Sequence, residues 1–256
     1  MSENPHVVAD TQPACVIVGA TGGIGTALCR RLQQNGTRLL LAGRSQEKLR
    51  ILAEEVGAHY AVVDATQFED MESCCARALE RFGRLDGVVN CVGSLLLKPA
   101  HQTTAAEWHA ALAANLTSAF ATVRAASRLM LRHGGAVVLI SSAAARTGMA
   151  NHDAVAAVKA GVIGLALSAA ATYARFGLRV NVVAPGLVRT PLTARIIGNP
   201  DLLKAALALH PLARIGEPEQ VASAIAWLLQ PEQSWVTGQV LGVDGGLASL
   251  RSRMTV

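Results

Sequence analysis

Short runs of valine, isoleucine and leucine alternate with longer helical patterns along almost the whole chain. Seven of these runs have the length and composition of strands, at residues 14–19, 37–43, 59–64, 86–93, 136–142, 178–186 and 239–246. They are continuously apolar, which is typical of parallel strands that helices cover on both faces. The pattern therefore predicts a doubly wound, Rossmann-type α/β fold with one seven-stranded parallel sheet in a single domain.

The limits of this domain are expected at residues 14–256, after a flexible N-terminal tail at residues 1–13. Between the strands, Thr104 and Glu107 have the spacing of a capping box, and Pro218 suits the first turn of another helix. The uncharged run at residues 160–174 is shorter than the ~18 apolar residues that a membrane span needs. We therefore predict a buried helix there and no association with a membrane.

The composition, with 51% apolar and 16% charged residues, is that of a soluble globular protein. A net charge of +5 could suggest nucleic acid, but the arginines are scattered among acidic residues and only 4% of residues are aromatic. No nucleic-acid partner is expected, because base stacking needs aromatic side chains beside a basic surface. The five cysteines have no metal-ligand spacing and no signal peptide is evident, so we predict a reduced, cytoplasmic protein without a metal site.

The first strand leads directly into the glycine-rich segment "VGATGGIGTAL" at residues 18–28. Glycines at this spacing allow a tight turn, close approach of a pyrophosphate and close packing of the next helix, whose first N–H groups face the phosphates. A glycine-rich turn that only joins a strand to a helix has the same composition, but the position in the first strand–helix unit favours dinucleotide binding. The predicted cofactor-binding residues of this turn are Gly19, Thr21, Gly22, Gly23, Ile24 and Gly25.

From about Ala14 to about Leu247 the chain resembles the short-chain dehydrogenase/reductase family, whose glycine motif is Gly-x-x-x-Gly-x-Gly. "NCVG" at residues 90–93 resembles the family's Asn-Asn-Ala-Gly motif, "APGLVRTPL" its Pro-Gly segment and "VTGQVLGVDGG" its closing strand. Several motifs in the expected order are far more specific than one. Outside the glycine turn, the resemblance implies cofactor contacts by Asn90, Gly93, Lys159, Pro185, Gly186, Val188 and Thr190.

Three polar residues match the family's catalytic positions. The resemblance implies that Asn115 holds a water through its backbone, that Ser142 orients the substrate oxygen and that Lys159 binds the nicotinamide ribose. The family's proton donor is a tyrosine four residues before the lysine, and this chain has Val155 there. Because the spacing from Ser142 to residue 155 and on to Lys159 matches the motif, the valine is a true replacement.

Other groups could supply the proton. Tyr60 and Tyr173, the two tyrosines of the chain, are expected to be packing residues in other places. His152 titrates in the useful pH range and is the predicted catalytic replacement, although it could instead be a helix-entry residue. An acidic group of the substrate, or a water held by Lys159 and Asn115, is a further alternative.

The end of the second strand indicates which cofactor is bound. NAD-dependent proteins of this fold have an acidic residue there, whereas this chain has Gly43 followed by Arg44. A guanidinium group can bind a 2′-phosphate through two hydrogen bonds, and Ser45 can add a hydroxyl. We therefore predict NADP(H) as the cofactor. Asp64 resembles the family residue that binds the adenine amino group, and Ala65 beside it completes the predicted site.

The favoured hypothesis is an NADP(H)-dependent oxidoreductase that acts on a small, apolar carbonyl or alcohol substrate with an atypical proton relay. The alternatives are a catalytically silent, NADP-binding partner subunit and a non-redox enzyme such as an epimerase or a lyase. The residues expected to form an apolar substrate pocket are Leu95, Leu96, Met149, Leu192, Ile196 and Ile197. The family resemblance, with the uncharged faces of helices at 111–132 and 152–175, implies a homotetramer, or at least a dimer.

Overall fold

The centre of the molecule is a seven-stranded parallel sheet with the strand order β3-β2-β1-β4-β5-β6-β7. The structure, a computed structural model, describes residues 12–251, so the predicted tail falls almost wholly outside the described residues. All seven predicted strands are confirmed, and every neighbouring pair is parallel. The strands are β1 (Ala14–Val18), β2 (Arg38–Gly43), β3 (His59–Val62), β4 (Gly87–Asn90), β5 (Gly135–Ile140), β6 (Leu178–Pro185) and β7 (Val240–Val243).

Helices cover both faces of the sheet, as the apolar strands predict. Their bounds are α1 (Gly23–Gln34), α2 (Gln46–Val56), α3 (Phe68–Phe82), α4 (Ala105–Leu112), α5 (Ser118–Met130), α6 (Asp153–Tyr173), α7 (Ala194–Ile197), α8 (Pro200–Leu209) and α9 (Pro218–Leu229). One core cluster lies between the sheet and α3, α5 and α6, and a second lies between the sheet and α1, α2 and α9. Successive β1 residues alternate between the two clusters, because side chains of a strand alternate between its faces.

Two local predictions are also confirmed. The Glu107 N–H donates to the Thr104 hydroxyl at 3.2 Å and the Thr104 N–H donates to the Glu107 carboxylate at 2.9 Å, which completes a capping box at the start of α4. The Thr104 N–H and the Lys98 ammonium lower the pKa of Glu107 to about 2. Pro218 is the first residue of α9, where a missing N–H removes no helical hydrogen bond.

The longest helix, α6, continues through a short 3-10 turn as far as Phe176. The stretch Asp153–Phe176 contains an 18-residue window with a mean hydropathy of 1.9 and is long and apolar enough for a membrane span by length and composition. Here, however, one face packs against β5 and β6, and Val158, Val162 and Ala166 are buried in that face. The helix is therefore part of the core of this domain.

Candidate active site

The predicted site residues meet at the carboxyl edge of the sheet. The strand order reverses between β1 and β4, and in open α/β sheets ligands bind at that switch point. The glycine turn follows β1, the Asn90–Gly93 segment ends β4, Ser142 follows β5 and Pro185 ends β6. The fold therefore brings together residues that are far apart in the chain.

The glycine turn is closely packed against the segment that follows β4. Gly19 has a φ of +74°, and a Cβ there would lie 2.9 Å from the backbone of Cys91 and Val92. A Cβ at Gly25 would lie 2.3 Å from the Gly19 carbonyl oxygen. Helix α1 begins at Gly23, so its first N–H groups have no partner within the helix. The turn thus has the free backbone donors and the open space that a pyrophosphate requires.

The end of β2 presents a positive charge. Arg44 is exposed and makes no ion pair within residues 12–251. The Thr66 N–H donates to the Asp64 carboxylate at 3.0 Å. This hydrogen bond is the main reason why the pKa of Asp64 is lowered, and the charge of Arg44 lowers it further by a smaller amount. Ser45 is the N-cap of α2 and accepts a long hydrogen bond of 3.5 Å from the Lys48 N–H, a role that the sequence analysis missed.

Asn90 is buried and holds the end of β4 against α5. Its Nδ2 donates to the hydroxyl oxygens of Ser118 at 3.3 Å and Thr122 at 3.0 Å. The Val92 N–H donates to its Oδ1 at 2.8 Å. Asn90 therefore shapes the backbone of the Asn90–Gly93 segment through contacts inside the protein.

Lys159 and Asn115 meet on the two sides of Gly93. A Cβ at Gly93 would lie 3.1 Å from Asn115 Oδ1 and 3.2 Å from Lys159 Nζ, so a side chain at this position would be in tight contact with both and would require them to shift slightly. Gly93 is itself exposed, whereas Lys159 is only 6% exposed. The Lys159 ammonium donates to the Ile140 carbonyl oxygen at 2.8 Å. The missing side chain of Gly93 thus leaves space next to the Lys159 ammonium and the Asn115 amide.

Asn115 lies in a π-helical turn, Ala113–Thr117, between α4 and α5. Its Nδ2 donates to Ser94 Oγ at 2.9 Å and to the Ala111 carbonyl oxygen at 2.9 Å, and its Oδ1 accepts from the Ser94 N–H at 3.1 Å. The sequence analysis predicted Asn115 but neither the π-helical turn nor its pairing with Ser94. The one sequence feature that could have indicated this pairing is that Ser94 directly follows Gly93, the last residue of the motif.

Burial controls the charge of Lys159. Desolvation lowers the pKa of the ammonium to about 8, and Cys91 is the titratable group nearest in effect to it. Burial also raises the pKa of the Cys91 thiol to about 12, so the thiol is neutral near pH 7 and gives the ammonium no counter-charge. Within residues 12–251, the centre of the site therefore holds a buried lysine without an anionic partner.

Ser142 and Val155 occupy the positions for which the family resemblance implies contact with a substrate. Ser142 is half-buried, and its hydroxyl oxygen accepts from the Ala144 N–H at 3.1 Å, which leaves its O–H for a substrate. Val155 is 4% exposed and lies one helical turn before Lys159 on the buried face of α6. Tyr173 lies at the other end of α6, about 27 Å away along the helix axis, and Tyr60 packs on β3.

His152 faces a different space. Its Nδ1 lies 2.8 Å from the Ala150 carbonyl oxygen, and the ring lines a cavity of about 1000 Å³ between the loop before α6, the end of α8 and the C-terminal segment. Neither Ser142 nor Lys159 lines this cavity. Of the six residues expected in the substrate pocket, Met149 lines it; the other apolar lining residues include Leu207, Leu209, Pro211, Leu247 and Leu250.

His210 is a residue of this region that the sequence analysis missed. It is 4% exposed, its Nδ1 lies 2.7 Å from the Ala206 carbonyl oxygen, and its Nε2 accepts from the Leu187 N–H at 3.2 Å. It also fills the space beside Gly186, where a Cβ would lie 2.7 Å from its Nε2. His210 therefore connects the end of α8 with the Pro-Gly segment by hydrogen bonds. No local sequence pattern indicates this contact.

Comparisons with known proteins agree with this arrangement. The sequence profile of the family described as enoyl-(acyl carrier protein) reductase matches residues 19–248. The chain is 37% identical to cis-4-hydroxycyclohexanecarboxylate dehydrogenase of Sinomonas cyclohexanicum over 251 residues, which cover 94% of this chain and 99% of that protein.

Solved structures give the same result. A short-chain type dehydrogenase/reductase from Mycobacterium ulcerans superposes with a TM-score of 0.90 at 31% identity and covers 94% of this chain and 91% of its own. A single-substitution variant of actinorhodin polyketide ketoreductase with NADPH superposes with a TM-score of 0.87 at 28% identity, covering 93% and 98%. With the shared fold, the glycine turn and the Ser142–Lys159–Asn115 site, these matches show that the chain belongs to the short-chain dehydrogenase/reductase family of oxidoreductases.

Proposed function

We propose that this protein is an NADP(H)-dependent oxidoreductase that transfers hydride to or from a small, apolar carbonyl or alcohol substrate through a proton relay without a tyrosine. The observation that carries the proposal is the meeting of Lys159 and Asn115 at Gly93, on the same sheet edge as Ser142 and the glycine turn. A protein that only bound a nucleotide would not need a serine with a free O–H on the same sheet edge as a buried lysine. We therefore favour a catalytic function over nucleotide binding without catalysis.

The choice of NADP(H) over NAD(H) is supported by the end of β2. Gly43 leaves no carboxylate there to repel a 2′-phosphate, and the exposed Arg44 guanidinium offers two parallel N–H donors. The related polyketide ketoreductase structure was solved with NADPH. A charge-assisted contact of ~1.5–3 kcal/mol corresponds to a preference of roughly ten- to a hundredfold.

The residues fit the bound cofactor as follows. The free N–H groups at the start of α1 would hold the pyrophosphate, and Asp64 would accept from the adenine amino group. Lys159 would hold the nicotinamide ribose, and the segment from Pro185 to Thr190 would face the nicotinamide amide. When bound, the cofactor supplies or accepts the hydride. Ser142 would then donate its O–H to the substrate oxygen, because its own oxygen is already occupied by the Ala144 N–H.

The substrate class is proposed from the lining of the site. The cavity beside the loop before α6 is mostly apolar, and its basic side chains are His152, His210 and Arg251, with no acidic side chain among the described residues of its lining. A small molecule with an apolar ring or chain fits this composition, and the basic side chains could also pair with a carboxylate at its end, as on the cyclohexanecarboxylate for which the related dehydrogenase is named. His152 stays the predicted proton donor of the sequence analysis, although it faces this cavity and not Lys159.

A homotetramer is proposed from the exposed apolar side chains. Trp108 on α4, Phe120 on α5 and Leu167 on α6 are 37%, 47% and 49% exposed, and Trp235 before β7 is 98% exposed. Patches of this kind on a monomer mark contacts with other chains. Light scattering at micromolar concentration should give about four times the chain mass, and a monomer mass would contradict the proposal. The free cysteines support a reducing, cytoplasmic setting.

Val155 favours a second candidate, a silent NADP-binding subunit, because valine cannot donate a proton. The test is a spectrophotometric assay of NADPH oxidation with a panel of cyclic ketones, enones and imines. Under the proposal at least one class should be reduced, with Lys159→Ala as the negative control. NADPH binding without oxidation of any member would favour the silent subunit, while conversion of a substrate without net NADPH loss would favour an epimerase or lyase.

A further inference from the structure

The chain between β4 and α4 meets side chains of α6 at two points. We call residues 93–100 of this connection the crossing segment. At its start, the space beside Gly93 borders the Lys159 ammonium. At its end, the Ala100 N–H donates to the Asp153 carboxylate at 2.6 Å. Asp153 and Lys159 are six residues apart on α6, so both ends of the crossing segment lie beside side chains from the first two turns of this helix.

Side chains of other elements hold the crossing segment, because residues 91–99 form neither helix nor strand. Near its start, Ser94 pairs with the π-helical turn. Further along, the Lys98 ammonium donates to both carboxylate oxygens of Glu107 on α4 at 2.9 Å. The contact with Asp153 is the third of these attachments, and it joins the end of the segment to α6.

The hydrogen bond between Asp153 and Ala100 has no competitor in the described part of the chain. An acidic residue in the first turn of a helix often accepts from N–H groups of that helix, but Asp153 makes no such bond and accepts from Ala100, 53 residues earlier. Ala100 is the first residue of a short 3-10 turn, so its N–H has no partner within the turn. The bond therefore satisfies a carboxylate and an N–H that their own helices leave unpaired.

We infer that Asp153 is a positioning residue for the proposed reaction. Through the Ala100 N–H it fixes the end of the crossing segment against α6, and it thereby sets the affinity for the substrate. The inference rests on the proposed oxidoreductase function, and it gives Asp153 no direct contact with the cofactor or the substrate.

The substrate enters this inference through the middle of the crossing segment. Leu95 and Leu96, two of the residues expected in the substrate pocket, lie between the attachments and are half-buried. Val155, at the position of the missing proton donor, lies on the same turn of α6 as Asp153. A segment released from Asp153 would hold the two leucines in several positions, and a substrate would have to order them when it binds. The expected result is weaker substrate binding with an intact nucleotide site.

Steady-state oxidation of NADPH with 2,2,2-trifluoroacetophenone tests this role. Asp153→Ala should raise KM by about fivefold, the lower range for a hydrogen bond to a charged group, because the contact lies at the surface. The kcat value and the affinity for NADPH should change by less than about twofold, as expected when only substrate binding is weakened. Asp153→Asn keeps an acceptor oxygen and should have a KM close to that of the wild type. An unchanged KM in Asp153→Ala, or a loss of kcat alone, would overturn the inference.

Ala100→Pro removes the donor of the same hydrogen bond. Proline suits the first position of a helical turn, and Pro99 before it has an extended backbone with a ψ of 153° that a following proline accepts. The exposed Asp153 side chain can turn towards solvent to make room for the ring. This variant should raise KM as much as Asp153→Ala does. The double variant should be no worse than either single one, because all three lack one and the same bond, whereas additive effects would overturn the inference.

Glu219→Ala is the matched control for the lost charge. Glu219 is an exposed acidic residue in the first turn of α9 and makes no hydrogen bond within the described residues. Removing a carboxylate from the start of either helix should lower the melting temperature by a similar small amount. KM should rise in Asp153→Ala and stay at the wild-type value in Glu219→Ala. A rise in both variants would assign the effect to general stability and would overturn the inference.

Hydrogen exchange of the Ala100 amide tests the contact without turnover. Measured by NMR with NADP present, the exchange should be at least about tenfold slower in the wild type than in Asp153→Ala, since the hydrogen bond must open first. Equal exchange in both proteins would overturn the inference even in an active enzyme. Slow exchange in a wild-type protein that binds NADPH but reduces no carbonyl would instead refute the proposed function, and with it the effect of Asp153 on substrate affinity.

Discussion

The nucleotide-binding region around β1, α1 and β2 differs from the catalytic region at the start of α6. In the first region, Gly19 and Gly25 pack so closely against neighbouring backbone that added side chains would collide with it. Arg44, at the end of β2, is exposed and available to a phosphate group. In the second region, Val155 occupies the position of the proton donor, and His152 faces a separate cavity. Under the proposed function, the glycine turn and Arg44 would act on the nucleotide and residue 155 on proton transfer, while Lys159 would contribute to both. Mutations outside Lys159 can therefore test the two roles one at a time.

The largest effect is expected from Gly25→Ala. The new Cβ would lie 2.3 Å from the Gly19 carbonyl oxygen, and because this is backbone, the turn itself must move. Overpacking of this kind costs ~1–3 kcal/mol, so we expect NADPH affinity to fall by about 10²-fold and the melting temperature to fall as well. Fluorescence titration with NADPH measures the affinity.

Gly164→Ala is the matched control for this experiment. A Cβ at Gly164 meets nothing within 4 Å, and the residue lies on α6 outside the nucleotide site. The control should bind NADPH like the wild type. Equal NADPH affinities of the wild type, Gly25→Ala and Gly164→Ala would show that the glycine turn does not hold the pyrophosphate. The region around β1, α1 and β2 would then not be the nucleotide-binding region.

The next effect is a gain of activity in Val155→Tyr. The new phenol would stand beside Lys159, whose ammonium favours the phenolate and lowers the pKa of the phenol. Reduction of an activated ketone should rise by up to ~10²-fold, since a positioned general acid contributes about that much. Steady-state NADPH oxidation measures the change.

Val155→Phe has the same size without the hydroxyl and should give no gain. NADPH affinity should be the same in both variants, because residue 155 belongs to the catalytic region. If tyrosine gains nothing while NADPH binds normally, the catalytic region differs from that of its relatives at more than this residue, and the silent-subunit or lyase hypothesis becomes the better one.

The smallest expected effect is a change of cofactor preference in Arg44→Asp. The wild type should bind NADPH at least about tenfold more tightly than NADH, because Arg44 would pair with the 2′-phosphate. A carboxylate in its place repels that phosphate and can accept from the ribose hydroxyls, so the preference should reverse. Titration of both proteins with both cofactors measures it, and equal affinities in the wild type would remove the NADP assignment.

Much of the fold and part of the site follow from local features of the chain. Seven continuously apolar runs are enough to predict seven buried parallel strands, since only a sheet covered on both faces can bury them. The capping box at Thr104 and the proline at Pro218 depend on hydrogen bonds within a few residues, so local spacing predicts them. Ser142, Val155 and Lys159 could be placed because the motif spacing is itself a property of one strand–loop–helix unit.

Contacts between distant segments decided the rest. Asn115 lies in a π-helical turn and pairs with Ser94 in another loop, and the buried His210 joins the end of α8 to the Pro-Gly segment. Neither contact leaves a periodic signal in the sequence. The low pKa of Lys159 is likewise a property of the folded molecule, because it arises from burial. Lys159 loses its contact with water only after the neighbouring strands and helices have packed around it, which leaves it 6% exposed.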